Sequence, residues 1–200
     1  MFEEADLEKL KILGVKDSKL LSIKKIHELA KEIKNIAKGF SIILIQPDEI
    51  DNAVNGKDGL NLNWLEGKKQ ALIVNELKPN KVIIDCPSPN IKEYTLFLKK
   101  FIDKELLKKI ELIVEHKADS NHVSCSAASI LAKSRREEEV EKIEQFVKQS
   151  IGSGYPSNPV CQKFLKENYE KYPQLIRKSW STYKNLIEKK TQKSLEDFKE

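Results

Sequence analysis

The amino-acid sequence predicts an α/β fold, because short apolar runs alternate with longer segments of helical periodicity. The runs lie at 40–45, 82–85 and 110–114, and each is typical of a buried strand. Strands separated by helices indicate a sheet with right-handed crossover connections. With seven glycines and seven prolines in 200 residues, the chain is neither collagen-like nor of low complexity.

Two helices are predicted before the first strand. Asp6 is expected to cap a short helix that closes at Gly14. Ser22 is expected to cap a longer helix, because apolar residues recur at helical spacing from there until Gly39. The run at 40–45 follows this glycine and predicts a strand that is buried on both faces.

The remainder of the chain continues the alternation. The predicted elements are, in order, a loop at 55–59, a helix at 63–77, a strand at 82–85, a helix at 91–104, a strand at 110–114, a polar loop at 116–122 and a long helix that ends near 150. Beyond this helix only helical patterns occur, at 159–172 and 175–190. The sequence therefore predicts a sheet domain over 1–150 and a C-terminal helical extension over 151–200.

The composition favours a protein without a membrane segment. Lys and Arg (36) outnumber Asp and Glu (31), and the net charge of +5 is compatible with a polyanionic partner without requiring one. No apolar run approaches the roughly 18 to 20 residues of a membrane span, and the acidic N-terminus is unlike a signal peptide. We expect a cytoplasmic protein. Cys86, Cys125 and Cys161 are odd in number and widely spaced, which predicts packed or incidental thiols.

Two carboxylates follow predicted strands. Asp85 ends the strand at 82–85, and Asp119 follows the strand at 110–114. In open α/β sheets, sites form at the carboxyl ends of strands. Each residue also has a structural interpretation, Asp85 as a cap of the next turn and Asp119 as a helix N-cap. Two carboxylates on rigid elements are hard ligands of the kind that Mg²⁺ or Mn²⁺ requires, although two alone are not specific.

Two further segments carry candidate binding residues. Small residues at 124–133 open the long helix, where unpaired N–H groups favour phosphate, and Lys133 lies further along the same helix. Lys133 could equally belong to a solvated helix face. Tyr155 lies in a glycine-rich turn at 152–158, where it could pack against the protein or support a sugar or base. His116 and His122 flank the Asp119 loop; we expect them to hydrogen-bond within it, with proton transfer as the alternative.

Seven of these segments occur in the order found in one enzyme family. They are Gly14-Val-Lys-Asp-Ser-Lys19, Leu60-Asn-Leu-Asn63 through Glu66, Ile84-Asp85, Glu115-His-Lys-Ala-Asp119, Ser126-Ala-Ala-Ser-Ile-Leu-Ala-Lys133, Gly152-Ser-Gly-Tyr-Pro-Ser157 and Ile176-Arg-Lys-Ser-Trp-Ser-Thr182. Together they resemble type 2 ribonuclease H (ribonuclease HII). The His-Lys-Ala-Asp loop and the Arg-x-Ser-Trp-x-Thr segment are most similar to its archaeal branch.

The resemblance implies both a fold and an activity. It implies a ribonuclease H-like mixed sheet flanked by helices, and an endonuclease that cuts the RNA strand of RNA–DNA hybrids and nicks DNA beside single embedded ribonucleotides. Asp85 and Asp119 match two of the family's four metal carboxylates, which implies hydrolysis assisted by two Mg²⁺ or Mn²⁺ ions. Tyr155 matches the tyrosine that stacks on a sugar at the ribose–deoxyribose step. The residues that fall in motifs lining the substrate groove are Asp17, Ser18, Lys19, Ser129 and Lys133.

The sequence departs from the family in one respect. The family's Asp-Glu-Ala-Gly-Arg-Gly strand has no counterpart in it, so we expect a fold truncated at the N-terminus by about two strands and lacking two metal carboxylates. The runs at 40–45 and 82–84 then lose ladder partners, and we expect the isolated chain to be unstable or prone to association. A start codon assigned too late, a companion peptide from a split gene, or a decayed copy would each account for this. A catalytically silent fragment that binds hybrid or duplex nucleic acid is the alternative function.

Overall fold

A computed structural model of the protein describes residues 1–16 and 18–196. The chain forms two compact units, one built from 1–44 and 63–137 and the other from 45–62 and the residues from 138 onward. The described helices and strands, in chain order, are α1 (Asp6–Ile12), α2 (Ile23–Ile36), α3 (Pro47–Val54), α4 (Leu62–Leu77), β1 (Lys81–Asp85), α5 (Ile91–Lys99), α6 (Lys104–Leu107), β2 (Glu111–Glu115), α7 (Ala118–Asn121), α8 (Val123–Val147), α9 (Pro159–Asn168) and α10 (Ser181–Glu196). The fold is thus mixed α/β and rich in helix, as predicted.

The sheet of the first unit consists of β1 and β2. They pair in parallel, with Lys81 opposite Glu111 and Asp85 opposite Glu115. Val82 and Ile84 are buried in a cluster that also contains Tyr94 from α5. Both strands lie within one residue of their predicted bounds, because a short β-branched run bounded by turn residues is a strong strand signal.

A second cluster in the first unit joins α1, α2 and α8. Leu10, Ile26, Ile33 and Ile130 are fully buried there. Ser22 is the N-cap of α2 and accepts the N–H of Lys25, which confirms the predicted cap. This cluster anchors the start of α8, which follows the loop that carries Asp119.

The predicted strand at 40–45 is wrong. This segment is extended but belongs to no ladder among the described residues. Just before it, the N–H of Lys38 donates to Met1 at 3.0 Å and the N-terminal ammonium donates to the carbonyl of Gly39 at 2.8 Å. Apolar character favours burial, but a strand also requires hydrogen-bond partners for its backbone groups. Among the described residues, no such backbone partner lies beside the segment that follows Gly39.

Several helix boundaries also differ from expectation. Asp6 is the first residue of α1 rather than its cap, and its carboxylate binds Lys9. The predicted helix at 91–104 is interrupted because the Asp103 side chain caps a separate helix, α6. Helix α3 was not predicted, although Pro47 at its first turn is a favourable start.

The second unit is held by backbone contacts as well as apolar packing. The Asp51 carboxylate on α3 accepts the N–H groups of Lys178 at 2.7 Å and Ser179 at 3.0 Å. Phe164 of α9 packs in the apolar cluster of this unit. The predicted helices at 159–172 and 175–190 correspond to α9 and α10, which are separated by the 3₁₀ turn Pro173–Leu175. Within the described ranges, no helix has the length and hydropathy needed to span a bilayer.

Candidate functional site

Asp85 occupies the carboxyl end of the sheet. It is the last residue of β1 and lies opposite Glu115, the last residue of β2. Because the strands are parallel, the segments that follow them emerge at the same edge. The Oδ1 atom of Asp85 accepts the N–H of Ala118 at 3.1 Å. The side chain therefore binds the segment that follows β2, which differs from a cap of the turn after its own strand.

Asp119 lies one residue beyond Ala118, in α7. Lys117 has a left-handed φ of +59° and turns the chain from β2 into this helix. The hydroxyl of Ser126 on α8 donates to the backbone carbonyl of Asp119, which fixes the position of the loop. The N-cap interpretation of Asp119 is wrong, because the cap position belongs to Lys117 and Asp119 is inside the helix.

The charges of Asp85 and Asp119 both affect the pKa of one neighbouring thiol, that of Cys125. Burial, together with the charges of Asp85 and Asp119, raises the pKa of Cys125 to about 11. Together with the bond from Ala118 to Asp85, this locates both acids at one site beside the first turn of α8. Cys125 was predicted to be a packed or incidental thiol, and its position in the small-residue segment that follows Asp119 was the only signal of its place beside the two acids.

Glu66 is a third acid in this neighbourhood. Burial raises the pKa of this α4 carboxyl, and the charge of Asp85 adds to the effect. Burial also raises the pKa of the Tyr94 phenol, with the charge of Glu66 contributing. Glu66 ends one of the motifs shared with the family, but no role for it was predicted, because the sequence pattern does not distinguish a single acid on a helix from a surface residue.

The predicted groove residues of the first unit lie beside Asp119. The hydroxyls of Ser18 and Ser129 are 3.1 Å apart, and the Lys133 ammonium donates to the Ser18 carbonyl at 3.2 Å. These contacts tie the 3₁₀ turn Ser18–Leu20 to α8. In this turn, the Nζ atom of Lys19 is 3.7 Å from Oδ2 of Asp119. The remaining member of the predicted set, Asp17, lies outside the described residues.

Tyr155 belongs to the second unit, where it lies in the turn at 152–158 and is 48% exposed. Asn158 ends this turn and caps α9 by accepting the N–H groups of Val160 and Cys161. Gly152 is required there, because its φ is +62° and an added Cβ would lie 2.5 Å from the Asn158 Oδ1. The turn thus presents an exposed aromatic ring on a fixed backbone.

The two histidines flanking Asp119 hydrogen-bond within the loop region, which confirms the expectation. The His116 Nδ1 lies 3.2 Å from the Cys86 carbonyl oxygen. The His122 Nε2 lies 3.1 Å from Oε1 of Glu115. Both contacts join the end of a strand to the chain around α7, and they support the backbone that positions Asp119.

The carboxylates at this site are hard donors of the kind that divalent cations such as Mg²⁺ bind. Asp85 and Asp119 supply carboxylate oxygens, whereas no group of three or more His, Cys, Asp and Glu within the described part of the chain is arranged to hold a metal. Mg²⁺ is commonly bound through one or two carboxylates together with waters and substrate phosphates.

The fold resembles solved structures of one enzyme group. The crystal structure of ribonuclease H2 from Pyrococcus horikoshii matches with a TM-score of 0.81 and 32% identity, covering 94% of this chain and 87% of that one. A complex of PCNA with RNase HII from Archaeoglobus fulgidus matches with a TM-score of 0.75 and 31% identity, covering 91% and 84%. Bst-RNase HIII in complex with Mn²⁺ has a TM-score of 0.72 at 21% identity, covering 92% and 61%, and it supports the ribonuclease H-like fold alone.

Sequence comparison agrees with the structural match. Residues 1–183 match the family model described as Ribonuclease HII. Ribonuclease HII from Pyrococcus furiosus is 38% identical over 205 aligned positions, which cover 98% of this chain and 87% of that protein. The match includes both strands and the segment that carries Asp85 and Asp119. The chain therefore belongs to the ribonuclease HII family of RNA-strand endonucleases.

Proposed function

We propose that this chain hydrolyses the RNA strand of RNA–DNA hybrids and nicks duplex DNA beside single embedded ribonucleotides. One arrangement supports the proposal above all others. The carboxylate of Asp85 at the end of β1 accepts the N–H of Ala118, which places it next to the segment after β2 that carries Asp119. Open α/β sheets bind their substrates at the carboxyl ends of their strands.

We propose Asp85 and Asp119 as ligands of Mg²⁺ or Mn²⁺. Bound in a pair, such ions supply an activated water and stabilise the leaving oxygen of a phosphodiester. The chain itself holds the two carboxylates in place. Ala118 binds the Asp85 side chain, and Ser126 binds the backbone of Asp119.

The proposed substrate contacts do not require base recognition. The Lys19 ammonium lies 3.7 Å from Asp119, and the Lys133 ammonium contacts the carbonyl of the neighbouring Ser18. Phosphate contacts from such groups position a duplex without reading its sequence. We propose that Ser18 and Ser129 complete this groove, where hydroxyls can meet phosphate or 2′-hydroxyl groups. The exposed ring of Tyr155 is proposed to stack on a sugar of the substrate.

A nicking assay tests the catalytic assignment. The substrate is duplex DNA with one ribonucleotide, incubated with the full chain and Mg²⁺ or Mn²⁺. We expect Asp85→Asn and Asp119→Asn each to lose at least about 100-fold in rate, since loss even of an outer-shell metal contact costs about 10- to 100-fold. Asp48→Asn, an exposed acid on α3, is the matched control. Equal cutting by the wild type and both site variants would show that the site is assigned wrongly.

The alternative is a catalytically silent protein that binds hybrid or duplex nucleic acid. The small number of metal ligands in the described residues favours it, whereas the family favours catalysis. The alternative predicts no nicking under any metal condition, together with retained binding to the same substrate. In that case Tyr155→Ala still weakens binding, because the proposed stacking contact with a sugar of the substrate is lost.

We also propose that an additional strand pairs with the open edge of β1. Within the described residues β1 pairs only with β2, and the apolar segment at 40–45 has no ladder. A strand at this edge would satisfy unpaired backbone groups and could carry further metal carboxylates. Its source would be upstream coding sequence or a companion peptide.

The strand proposal is tested by supplying the strand. The nucleotide sequence upstream of Met1 is read in all frames for Asp-Glu-Ala-Gly-Arg-Gly, and the encoded segment is added in cis or as a peptide. We expect a cooperative thermal transition at higher temperature than for the chain alone. A segment with a central proline is the control, because proline cannot donate to a ladder. Equal transitions with and without the segment would contradict the proposal.

A protein partner is suggested by one solved relative. The complex of PCNA with RNase HII leads us to propose that this chain also binds PCNA. The segment at 192–200 contains Gln192, Leu195 and Phe198, and we propose it as the contact. Loss of binding after removal of 192–200, with full nicking activity retained, is the expected result. Unchanged PCNA binding would exclude this segment as the contact.

We propose a cytoplasmic location. Cys86, Cys125 and Cys161 are free thiols, as is usual for proteins of a reducing compartment. Fractionation of cells with an antibody against the chain tests this, and recovery in a membrane or secreted fraction would contradict it.

A further inference from the structure

The cation that faces Asp119 in this structure is supplied by the protein. The carboxylate of Asp119 is only 10% exposed, and Nζ of Lys19 lies 3.7 Å from its Oδ2. A buried carboxylate is costly unless a positive charge or hydrogen-bond donors compensate it. Lys19 therefore provides compensation at the position where a divalent cation is proposed to bind.

The contact is of a kind that exchanges easily. The Lys19 side chain is 77% exposed, so its ammonium is accessible to solvent. A distance of 3.7 Å lies beyond the usual range of a charge-assisted hydrogen bond, which indicates an electrostatic contact. Exposed lysine contacts of this type are weak, and a doubly charged ion interacts more strongly with the same carboxylate.

The backbone of the turn, in contrast, is fixed. Ser18 is buried, its hydroxyl contacts Ser129, and its carbonyl accepts the ammonium of Lys133. Ser129 and Lys133 are four residues apart and lie on the same face of α8. Because the turn is held at two points of one helix, Lys19 remains next to Asp119 even when its side chain moves away.

We propose that Lys19 is a placeholder cation, which neutralises Asp119 in the metal-free protein and is displaced when a divalent cation binds. The two cations exclude each other, because a metal coordinated at about 2.0–2.6 Å from a carboxylate oxygen would repel an ammonium at the same oxygen. The displaced ammonium stays tethered at the site, where a phosphate of the substrate can bind it. Metal occupancy thereby makes a phosphate contact available. This proposal rests on the proposed function of Asp119.

The test is a Mn²⁺ titration of the full chain, in which free Mn²⁺ is measured by electron paramagnetic resonance. For Lys19→Met we expect Mn²⁺ binding about two- to five-fold tighter than for the wild type. Mn²⁺ no longer has to displace the lysine, and the gain in binding free energy is at most that of an exposed ion pair. Lys19→Arg keeps the charge and should bind Mn²⁺ like the wild type. The metal-free Lys19→Met protein should melt at a lower temperature, and saturating Mn²⁺ should abolish that difference.

Lys25→Met is the matched control. Lys25 also lies 3.7 Å from an acid, Glu28, but both side chains of this pair are about half exposed. The Lys25→Met variant removes one lysine charge and a contact of the same length. It does not leave a buried carboxylate without its cation. If Lys19→Met binds Mn²⁺ no more tightly than Lys25→Met does, the placeholder role of Lys19 is wrong. The assignment of the metal ligands is not affected by that result. Absence of Mn²⁺ binding to the wild type would overturn the metal assignment and the placeholder together.

Discussion

Two aspartates of this protein are equally buried but have different kinds of partner. Asp51 in the second unit is 8% exposed, and Asp119 in the first unit is 7% exposed. Asp51 accepts two backbone N–H groups, which cannot leave without unfolding the local chain. The carboxylate of Asp119 faces the ammonium of an exposed lysine. A buried carboxylate with fixed donors serves the fold, whereas one with an exchangeable cation is suited to binding a ligand.

The largest expected effect is on the fixed carboxylate. We expect Asp51→Asn to lower the free energy of unfolding by about 2–4 kcal/mol, because an amide NH₂ would replace one of the two acceptors of charge-assisted bonds. Denaturant unfolding measures this change. Asp48→Asn on the same helix is exposed and should have little effect. Equal losses for both variants would mean that the bonds of Asp51 do not support the second unit.

A smaller effect is expected at the exchangeable carboxylate. In the metal-free protein, Asp119→Asn should change the free energy of unfolding by less than about 1 kcal/mol, the range of contacts with an exposed lysine. The stabilisation that Mn²⁺ gives the wild type should disappear in this variant, because a ligand stabilises only a state that binds it. Thermal melts with and without Mn²⁺ measure both. A metal-free loss as large as that of Asp51→Asn would remove the distinction between the two aspartates.

The fold was predictable where local signals decide the structure. The strand β1 and the Ser22 cap were found from a β-branched run and from a polar residue before an apolar period. The segment at 40–45 carries a similar apolar signal but forms no ladder among the described residues. Pairing depends on a partner strand that an apolar run does not specify, which is why the same pattern had two outcomes.

The candidate site was predictable to the extent that it follows strand ends. Asp85 and Asp119 were candidates because they follow predicted strands, although their positions alone did not distinguish a site from a structural role. The contact of Ser18 with Ser129 joins residues 111 positions apart, and no local pattern contains such information. The pairing of Lys19 with Asp119 follows from that contact, and it was therefore visible only in the folded chain.

Glu66 extends the comparison to a carboxyl whose charged neighbour is another acid. Burial raises its pKa, and the charge of Asp85 raises it further. A carboxyl whose pKa is raised on folding stabilises the protein when protonated. That contribution is complete below its unfolded pKa, near pH 4, and is lost as the pH rises through the folded value. Glu66→Gln is neutral at every pH, so the variant should melt at a higher temperature than the wild type at pH 7.

The advantage of Glu66→Gln should disappear near pH 4, where the wild-type carboxyl also becomes neutral. Melting temperatures of both proteins between pH 4 and 8 measure the difference, and Glu32→Gln on the exposed face of α2 controls for the loss of one charge. A profile for Glu66→Gln that parallels that of Glu32→Gln would mean that Glu66 is as well solvated as a surface acid. The closeness of the Glu66 and Asp85 carboxyls would then impose no cost on the metal-free fold. In that respect Asp85 would be a carboxylate that serves the fold, like Asp51, rather than one suited to binding a ligand, like Asp119.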